Sequence, residues 1–108
     1  MFNLFAKKTK AYKNLNGTEF KDSYQKDSNA VLLDVRTAGE YASGTIKGSK
    51  NIDFMTPHFD DLISKLDKER EYFIFCKSGG RSAQACAIMA KQGLKVHNLS
   101  GGIGAWPS

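Results

Sequence analysis

The chain of 108 residues is long enough for one hydrophobic core and too short for two, so we expect a single domain. Hydrophobic residues make up 41% of it and charged residues 25%, a balance that is typical of a folded globular protein and excludes disorder of the whole chain. The formal net charge of +5 suits an anionic partner, but the basic residues form no stripe interleaved with aromatic residues, so we expect neither a nucleic-acid nor a membrane partner.

The chain begins with a short apolar run followed by a basic stretch. Lys7 interrupts the apolar run too early for a secretory signal, and further lysines follow at Lys8, Lys10 and Lys13. No later apolar run approaches the roughly 20 residues that span a membrane. We therefore expect residues 1–10 to be a flexible basic segment ahead of one domain at residues 11–108, in a cytoplasmic and monomeric protein.

Apolar runs predict five β-strands, at residues 12–15, 30–36, 50–52, 72–75 and 95–99. The run at 30–36 is nearly continuous, which is typical of a strand buried on both faces of a parallel sheet.

Helices are predicted between these strands, at residues 18–25, 38–42 and 82–92 and in the segment that follows Thr56. We expect Thr56 to cap that helix and Pro57 to be its first residue. Its apolar stripe consists of Phe59, Leu62, Ile63 and Leu66. Strands and helices that alternate over such short connections predict an α/β fold, with a central parallel β-sheet of about five strands flanked by helices on both faces.

The two cysteines, Cys76 and Cys86, are too few for a disulfide scaffold or a four-ligand zinc site. We therefore expect reduced thiols, no metal and no cofactor. Cys86 lies among alanines in a predicted buried helix, which favours an inert packing role, with a resolving cysteine as the alternative.

Cys76 ends a predicted buried strand and opens a loop of Lys77, Ser78, Gly79, Gly80 and Arg81, after which a helix is predicted from Ser82. Active sites of open α/β sheets lie at such strand ends. Paired glycines allow successive backbone N–H groups to converge on the sulfur, and the helix dipole adds about half a positive charge there. With Lys77 and Arg81 nearby, we predict that the pKa of Cys76 lies below that of an ordinary thiol and that it is a nucleophile without a separate base; a buried, inert cysteine is the alternative.

Four segments in this order resemble the rhodanese homology domain over about two thirds of the chain. They are residues 33–36 with Glu40 and Tyr41, residues 44–52, the loop from Cys76 to Ser82, and residues 99–106, which end at Trp106. The chain departs from the family pattern at Thr45, where the family usually has histidine, and at Ser49, where it usually has alanine. Thr45 puts in doubt a hydrogen bond that ties down the loop after the second strand.

The resemblance implies that the Cys76 thiolate takes the outer sulfur of a donor such as thiosulfate, becomes a persulfide, and passes the sulfur to cyanide or a thiol. Backbone N–H groups from Lys77 through Ser82 are expected to hold the persulfide, and Lys77 and Arg81 to orient the anionic donor. A protein as sulfur donor or acceptor is a further expectation.

The remaining polar residues have mainly structural interpretations. Asp34, Arg36 and Glu40 suggest ion pairs that hold loops together, although Arg36 is equally a candidate for substrate binding. We expect no catalytic role for His58 or His97.

Two other functions remain open at this point. Cysteine-dependent phosphatases and arsenate reductases also place a cysteine and an arginine around a loop of N–H groups, but with five residues between them, whereas four separate Cys76 from Arg81. A smaller ring suits a single sulfur atom better than a tetrahedral oxyanion. The other alternative is a carrier module that accepts a persulfide from a partner enzyme without turning over free thiosulfate.

Overall fold

The computed structural model describes residues 12–108, so the segment predicted at residues 1–10 lies outside the described residues. The elements in chain order are β1 (Lys13–Leu15), α1 (Gly17–Lys26), β2 (Ala30–Asp34), α2 (Ala38–Ala42), β3 (Lys50–Asn51), α3 (Phe59–Ser64), β4 (Glu71–Phe75), α4 (Gly80–Lys91), β5 (Lys95–Leu99) and a short 3-10 helix (Ile103–Ala105). The strands form one parallel sheet in the order β1-β5-β4-β2-β3. The predicted α/β fold with a parallel sheet of about five strands is confirmed.

Alternation along the central strand β4 divides the core into two clusters. Tyr72 and Ile74 point to the side covered by α3 and α4, while Phe73 and Phe75 point to the side covered by α1 and the 3-10 helix. Helices therefore cover both faces of the sheet, as predicted. Cys76 follows β4 and continues the alternation, so its side chain belongs to the cluster on the α4 side.

None of the helices formed by residues 12–108 is long and apolar enough to cross a membrane.

The helix predicted to begin at Pro57 starts later. The Phe59 N–H donates to the Thr56 carbonyl over 3.2 Å, and the Thr56 hydroxyl accepts from the His58 N–H over 3.3 Å. These bonds close a turn, so Thr56 is not the helix cap and Pro57 is not its first residue; α3 begins at Phe59 after His58. Both parts of that prediction were wrong because the threonine side chain stabilises a local turn instead.

Two other boundaries differ from the predictions in ways that shape the site. β2 ends at Asp34 rather than at Arg36, because the Asp34 carboxylate accepts the Arg36 N–H over 3.0 Å and turns the chain away from the ladder. α4 begins at Gly80 rather than at Ser82, because Gly79 has a left-handed φ of 102° and leads the chain directly into the helix.

The segment after β5 packs against the loop that follows β4. The Ile103 N–H donates to the Cys76 carbonyl over 2.8 Å. Just before it, Gly102 has a φ of 77°, and a Cβ atom at this position would overlap the Lys77 carbonyl and the Ser78 nitrogen. Glycine at position 102 is thus a condition for bringing the two loops together.

We expect Gly102→Ala to lower the free energy of unfolding by at least about 2 kcal/mol, because a left-handed φ and a backbone overlap add in the folded state. Thermal or urea unfolding measures this effect. Gly104→Ala is the matched control, since a Cβ there meets nothing within 4 Å and its φ is not positive. Equal stabilities of the two variants would contradict the close approach of the loops.

Candidate active site

The carboxyl end of β4 places Cys76 where several loops meet. Neighbouring β2 ends at Asp34 on one side, and the closing segment after β5 lies on the other. α4 starts directly above the cysteine, which is only 1% exposed. The sulfur is therefore screened from water by the first turn of the helix and by both neighbouring loops.

Hydrogen-bond donors from α4 and its cap converge on the sulfur. The Gly79 N–H donates to Cys76 Sγ over 3.1 Å, and the Ser82 hydroxyl donates over 3.3 Å. Because α4 begins at Gly80, Ser82 lies in its first turn, where backbone N–H groups have no partner within the helix. Ser82 is fully buried, so its hydroxyl is held in this position.

These donors lower the pKa of Cys76, as the sequence predicts. Burial by itself raises the pKa of this thiol, and the hydrogen bonds outweigh it: the Ser82 hydroxyl contributes most, followed by the backbone N–H groups of Ser82, Gly79 and Ser78. The sequence predicts that the loop N–H groups and the helix dipole lower this pKa, with the charges of Lys77 and Arg81 adding to them. In the structure the predicted N–H groups of Ser78, Gly79 and Ser82 contribute, together with the Ser82 hydroxyl, which was not predicted.

Arg81 is bound by a carboxylate from another part of the chain. Its Nη1 and Nη2 donate to Glu40 Oε1 and Oε2 over 2.7 Å and 3.1 Å, a bidentate pair. Glu40 is also the third residue of α2 and forms a capping box with Thr37. The Arg81 hydrogen bonds and the Thr37 N–H lower the pKa of Glu40 to about 2.

Arg36 forms a second, buried ion pair at the end of β2. Its Nη2 donates to Asp34 Oδ2 over 2.7 Å and to the Gly44 carbonyl over 2.7 Å. The bond to Gly44 ties the loop after α2 to the end of β2, and the ion pair holds the guanidinium in place for it, so these charges hold a loop as the sequence suggested. The Arg36 side chain is 8% exposed.

Thr45 and Ser49, the two departures from the family pattern, contact each other. Their hydroxyls lie 2.7 Å apart, and the Thr45 hydroxyl donates to Asp34 Oδ2 over 2.9 Å. The hydrogen bond that the sequence left in doubt is therefore present. This pair was not predicted from the sequence, although the spacing of four residues within one loop was an available signal.

The other predicted site residues lie in the loop after β4 and at the start of α4. The Lys77 and Ser78 side chains are exposed, and Gly80 begins α4 beside them. The structure thus brings Gly79, Ser82 and the Ser78 N–H to the sulfur, with Arg81 at the rim bound to Glu40 and Arg36 on Asp34. The support that Gly102 and Ile103 give this loop was not predicted, although both belong to the segment 99–106 that carries the family resemblance.

The second cysteine and the histidines lie in other surroundings. Cys86 is fully buried in the core, and burial raises the pKa of its thiol, which fits an inert packing role. His97 Nε2 lies 2.9 Å from Glu71 Oε1, at the amino end of β4 and therefore at the opposite end of that strand from Cys76. His58 precedes α3 and makes no side-chain capping bond.

Comparison with known proteins agrees with this geometry. The family model of the rhodanese-like domain matches residues 16–108, and the chain belongs to this family. It is 41% identical over 78 residues to a protein named sulfurtransferase from Allochromatium vinosum, covering 70% of each chain. It is 33% identical over 82 residues to the thiosulfate sulfurtransferase GlpE of Ectopseudomonas mendocina, covering 75% of this chain and 73% of the relative. The crystal structure of a rhodanese-like domain protein from Staphylococcus aureus superposes with a TM-score of 0.77 at 29% identity, over 89% of this chain and 92% of the other.

We predict that Ser82→Ala raises the pKa of Cys76, because it removes the largest stabilising contribution to the thiolate. The rate of alkylation by iodoacetamide follows the thiolate fraction, so it falls as the pH drops through the pKa. In the variant this fall shifts to higher pH. Ser78→Ala is the control, since Ser78 acts through its backbone N–H and its side chain is exposed. A profile of Ser82→Ala that coincides with wild type would contradict the assigned role.

Proposed function

We propose that the protein is a sulfurtransferase that moves a sulfane sulfur from a donor such as thiosulfate to cyanide or a thiol through a persulfide on Cys76. The observation that carries this proposal is the ring of donors around one sulfur atom, with the Gly79 N–H and the Ser82 hydroxyl on Cys76 Sγ. Membership of the rhodanese-like family and the names of the relatives support the reaction class.

The first half-reaction needs no general acid or base. The Cys76 thiolate attacks the outer sulfur of thiosulfate and forms a new S–S bond, while the bond between the two thiosulfate sulfurs breaks and sulfite leaves with its electron pair. One thiolate and one thiosulfate dianion thereby become one persulfide anion and one sulfite dianion. The lowered pKa of Cys76 raises the fraction of thiolate that can attack, and a histidine is not needed for this.

The second half-reaction restores the enzyme. The carbon of cyanide attacks the terminal sulfur, the S–S bond of the persulfide breaks, and the thiolate re-forms as thiocyanate leaves. A thiolate acceptor takes the sulfur in the same way and becomes a persulfide. We assign the persulfide cradle to the N–H groups from Lys77 through Ser82, including Gly80, and donor orientation to Lys77, Arg81 and Arg36. We place this chemistry in the cytoplasm, where thiols stay reduced.

The size of the ring favours sulfur over phosphate. Gly79 is the helix cap and Gly80 the first helical residue, so only Lys77 and Ser78 lie between the cysteine and the cap. The Gly79 N–H and the Ser82 hydroxyl both point at Sγ itself, within 3.3 Å. A phosphatase requires a wider ring that surrounds a tetrahedral oxyanion beyond the sulfur.

Thiosulfate treatment of the intact protein is expected to add the mass of one sulfur atom, on Cys76, in a form that a reductant removes. Intact-mass and peptide mass spectrometry measure it. Cys76→Ala abolishes the adduct, whereas Cys86→Ala retains it, because hydrogen bonds lower the pKa of Cys76 while desolvation raises that of Cys86. Absence of a reducible adduct on Cys76 would overturn the proposal.

A persulfide carrier that serves a partner enzyme is the second candidate. It is favoured by the pairing of Arg81 with Glu40 and of Arg36 with Asp34, which weakens the attraction of the site for a free dianion. Steady-state turnover of thiosulfate and cyanide that is lost in Cys76→Ala supports the enzyme. Loading of sulfur with negligible turnover supports the carrier.

A further inference from the structure

The positive charge of Arg81, in the first turn of α4 beside Cys76, is compensated by the carboxylate of Glu40. Its guanidinium is held by both oxygens of Glu40, at 2.7 Å and 3.1 Å. The charges of Glu40 and Asp53, and that of the Cys76 thiolate when it is ionised, also act on Arg81 and raise its pKa. The attraction of Arg81 for an anionic donor that approaches Cys76 is therefore weakened by these neighbouring negative charges.

Glu40 is held rigidly in this position and stays ionised. Its Oε1 accepts from the Thr37 N–H over 3.0 Å and from the Thr37 hydroxyl over 3.2 Å, in addition to the Arg81 contact. Its pKa of about 2, caused first by Arg81 and next by the Thr37 N–H, keeps the carboxylate charged at neutral pH.

The second arginine near the cysteine does not restore an attraction for dianions. Arg36 is bound to Asp34, and the charges of Glu40 and Arg81 also act on it. Lys77 is exposed at the start of the loop and adds one positive charge. The negative charge of the Cys76 thiolate offsets it.

We propose that Glu40 is a specificity-determining residue that disfavours dianionic sulfur donors such as thiosulfate relative to monoanionic sulfane donors such as thiosulfonates. This inference rests on the proposed sulfurtransferase function and deepens it by naming the charge class of the preferred donor.

Methanethiosulfonate and thiosulfate form a matched pair of probes. In both, the Cys76 thiolate attacks a terminal sulfur bound to an oxidised sulfur atom, and the bond between those two atoms breaks. Thiosulfate releases sulfite with the electron pair, and methanethiosulfonate releases methanesulfinate with it; each leaves the same Cys76 persulfide. The donors differ chiefly by one unit of charge.

The test is Glu40→Gln, with kcat/KM measured for both donors and one acceptor. Glutamine is also favourable at the third position of a capping box, and its carbonyl still accepts from Arg81, so the change removes mainly the charge. Because Coulomb energy scales with ligand charge, we expect a rise of about ten-fold for thiosulfate and about three-fold for methanethiosulfonate at low salt. The ratio of the two values therefore rises about three-fold, and the rise shrinks with added salt.

The ratio of the two kcat/KM values is the readout because it cancels any change in the thiolate fraction of Cys76. Removal of Glu40 also alters the field at Cys76, but a changed thiolate fraction multiplies both values equally. Glu19→Gln is the matched control, since Glu19 holds the same position in the capping box of α1 with Asn16. It lies after β1, two strands from β4, and should leave the ratio unchanged.

Asp53→Asn is a second test that leaves the α2 cap intact. Asp53 acts on Arg81 through its charge, and its Oδ1 accepts from the Met55 N–H over 2.8 Å, which asparagine preserves. We expect the donor ratio to rise in this variant as well, by a smaller factor.

The inference is overturned if the ratio of kcat/KM for thiosulfate to that for methanethiosulfonate does not rise in Asp53→Asn, nor in Glu40→Gln that is shown to be folded. If both donors still load sulfur onto Cys76 of the wild-type protein, the proposed function stands even though the inference fails. If neither donor yields a persulfide on wild-type Cys76, the proposed function itself fails.

Discussion

Only 1% of Cys76 is exposed, so water cannot stabilise a negative charge on its sulfur, and the protein has to supply the hydrogen bonds. They come from the Gly79 N–H and from Ser82. Both depend on the helix starting where it does, because Gly79 takes a left-handed φ and Ser82 then falls in the first turn. The alternation of β4 directs the cysteine to the same side. The register of β4, the conformation of Gly79 and the start of α4 therefore together fix the position of the donors relative to the sulfur.

The opposite face of the sheet contributes to the same constraint through the closing segment. Trp106 packs edge-on against Phe20, with ring centroids 6.2 Å apart, and so holds the 3-10 helix on the α1 side. That helix begins at Ile103, whose N–H binds the Cys76 carbonyl. Gly102 allows the approach because it has no Cβ atom to meet Lys77. The contact of Trp106 with Phe20 on one face of the sheet is therefore linked, through the short segment 102–106, to the position of the loop that follows β4.

Features with a local cause were predictable from the sequence, and features that join distant segments were not. The strand that ends at Cys76 and the glycines after it showed where the site lies, since apolar runs and glycines act within a few residues. The pairing of Arg81 with Glu40 spans 41 residues and follows from sheet order, which brings the ends of β2 and β4 together. The start of α3 was missed for a different reason: Thr56 favours a turn and a helix cap alike, and here its hydroxyl accepts from the His58 N–H and stabilises the turn.

In the proposed reaction, the same electrostatics would act on the donor and on the leaving group. Thiosulfate and sulfite are both dianions, and both would pass Arg81, which is bound to Glu40. An uncompensated arginine there would strengthen donor binding but would also retain sulfite. Dipoles from Gly79 and Ser82 avoid this problem, because they stabilise charge on the sulfur within hydrogen-bond distance and act weakly beyond it. If the proposed persulfide forms on Cys76, uncharged donors at the sulfur and paired charges at Arg81 would therefore stabilise it more than they stabilise a free dianion nearby.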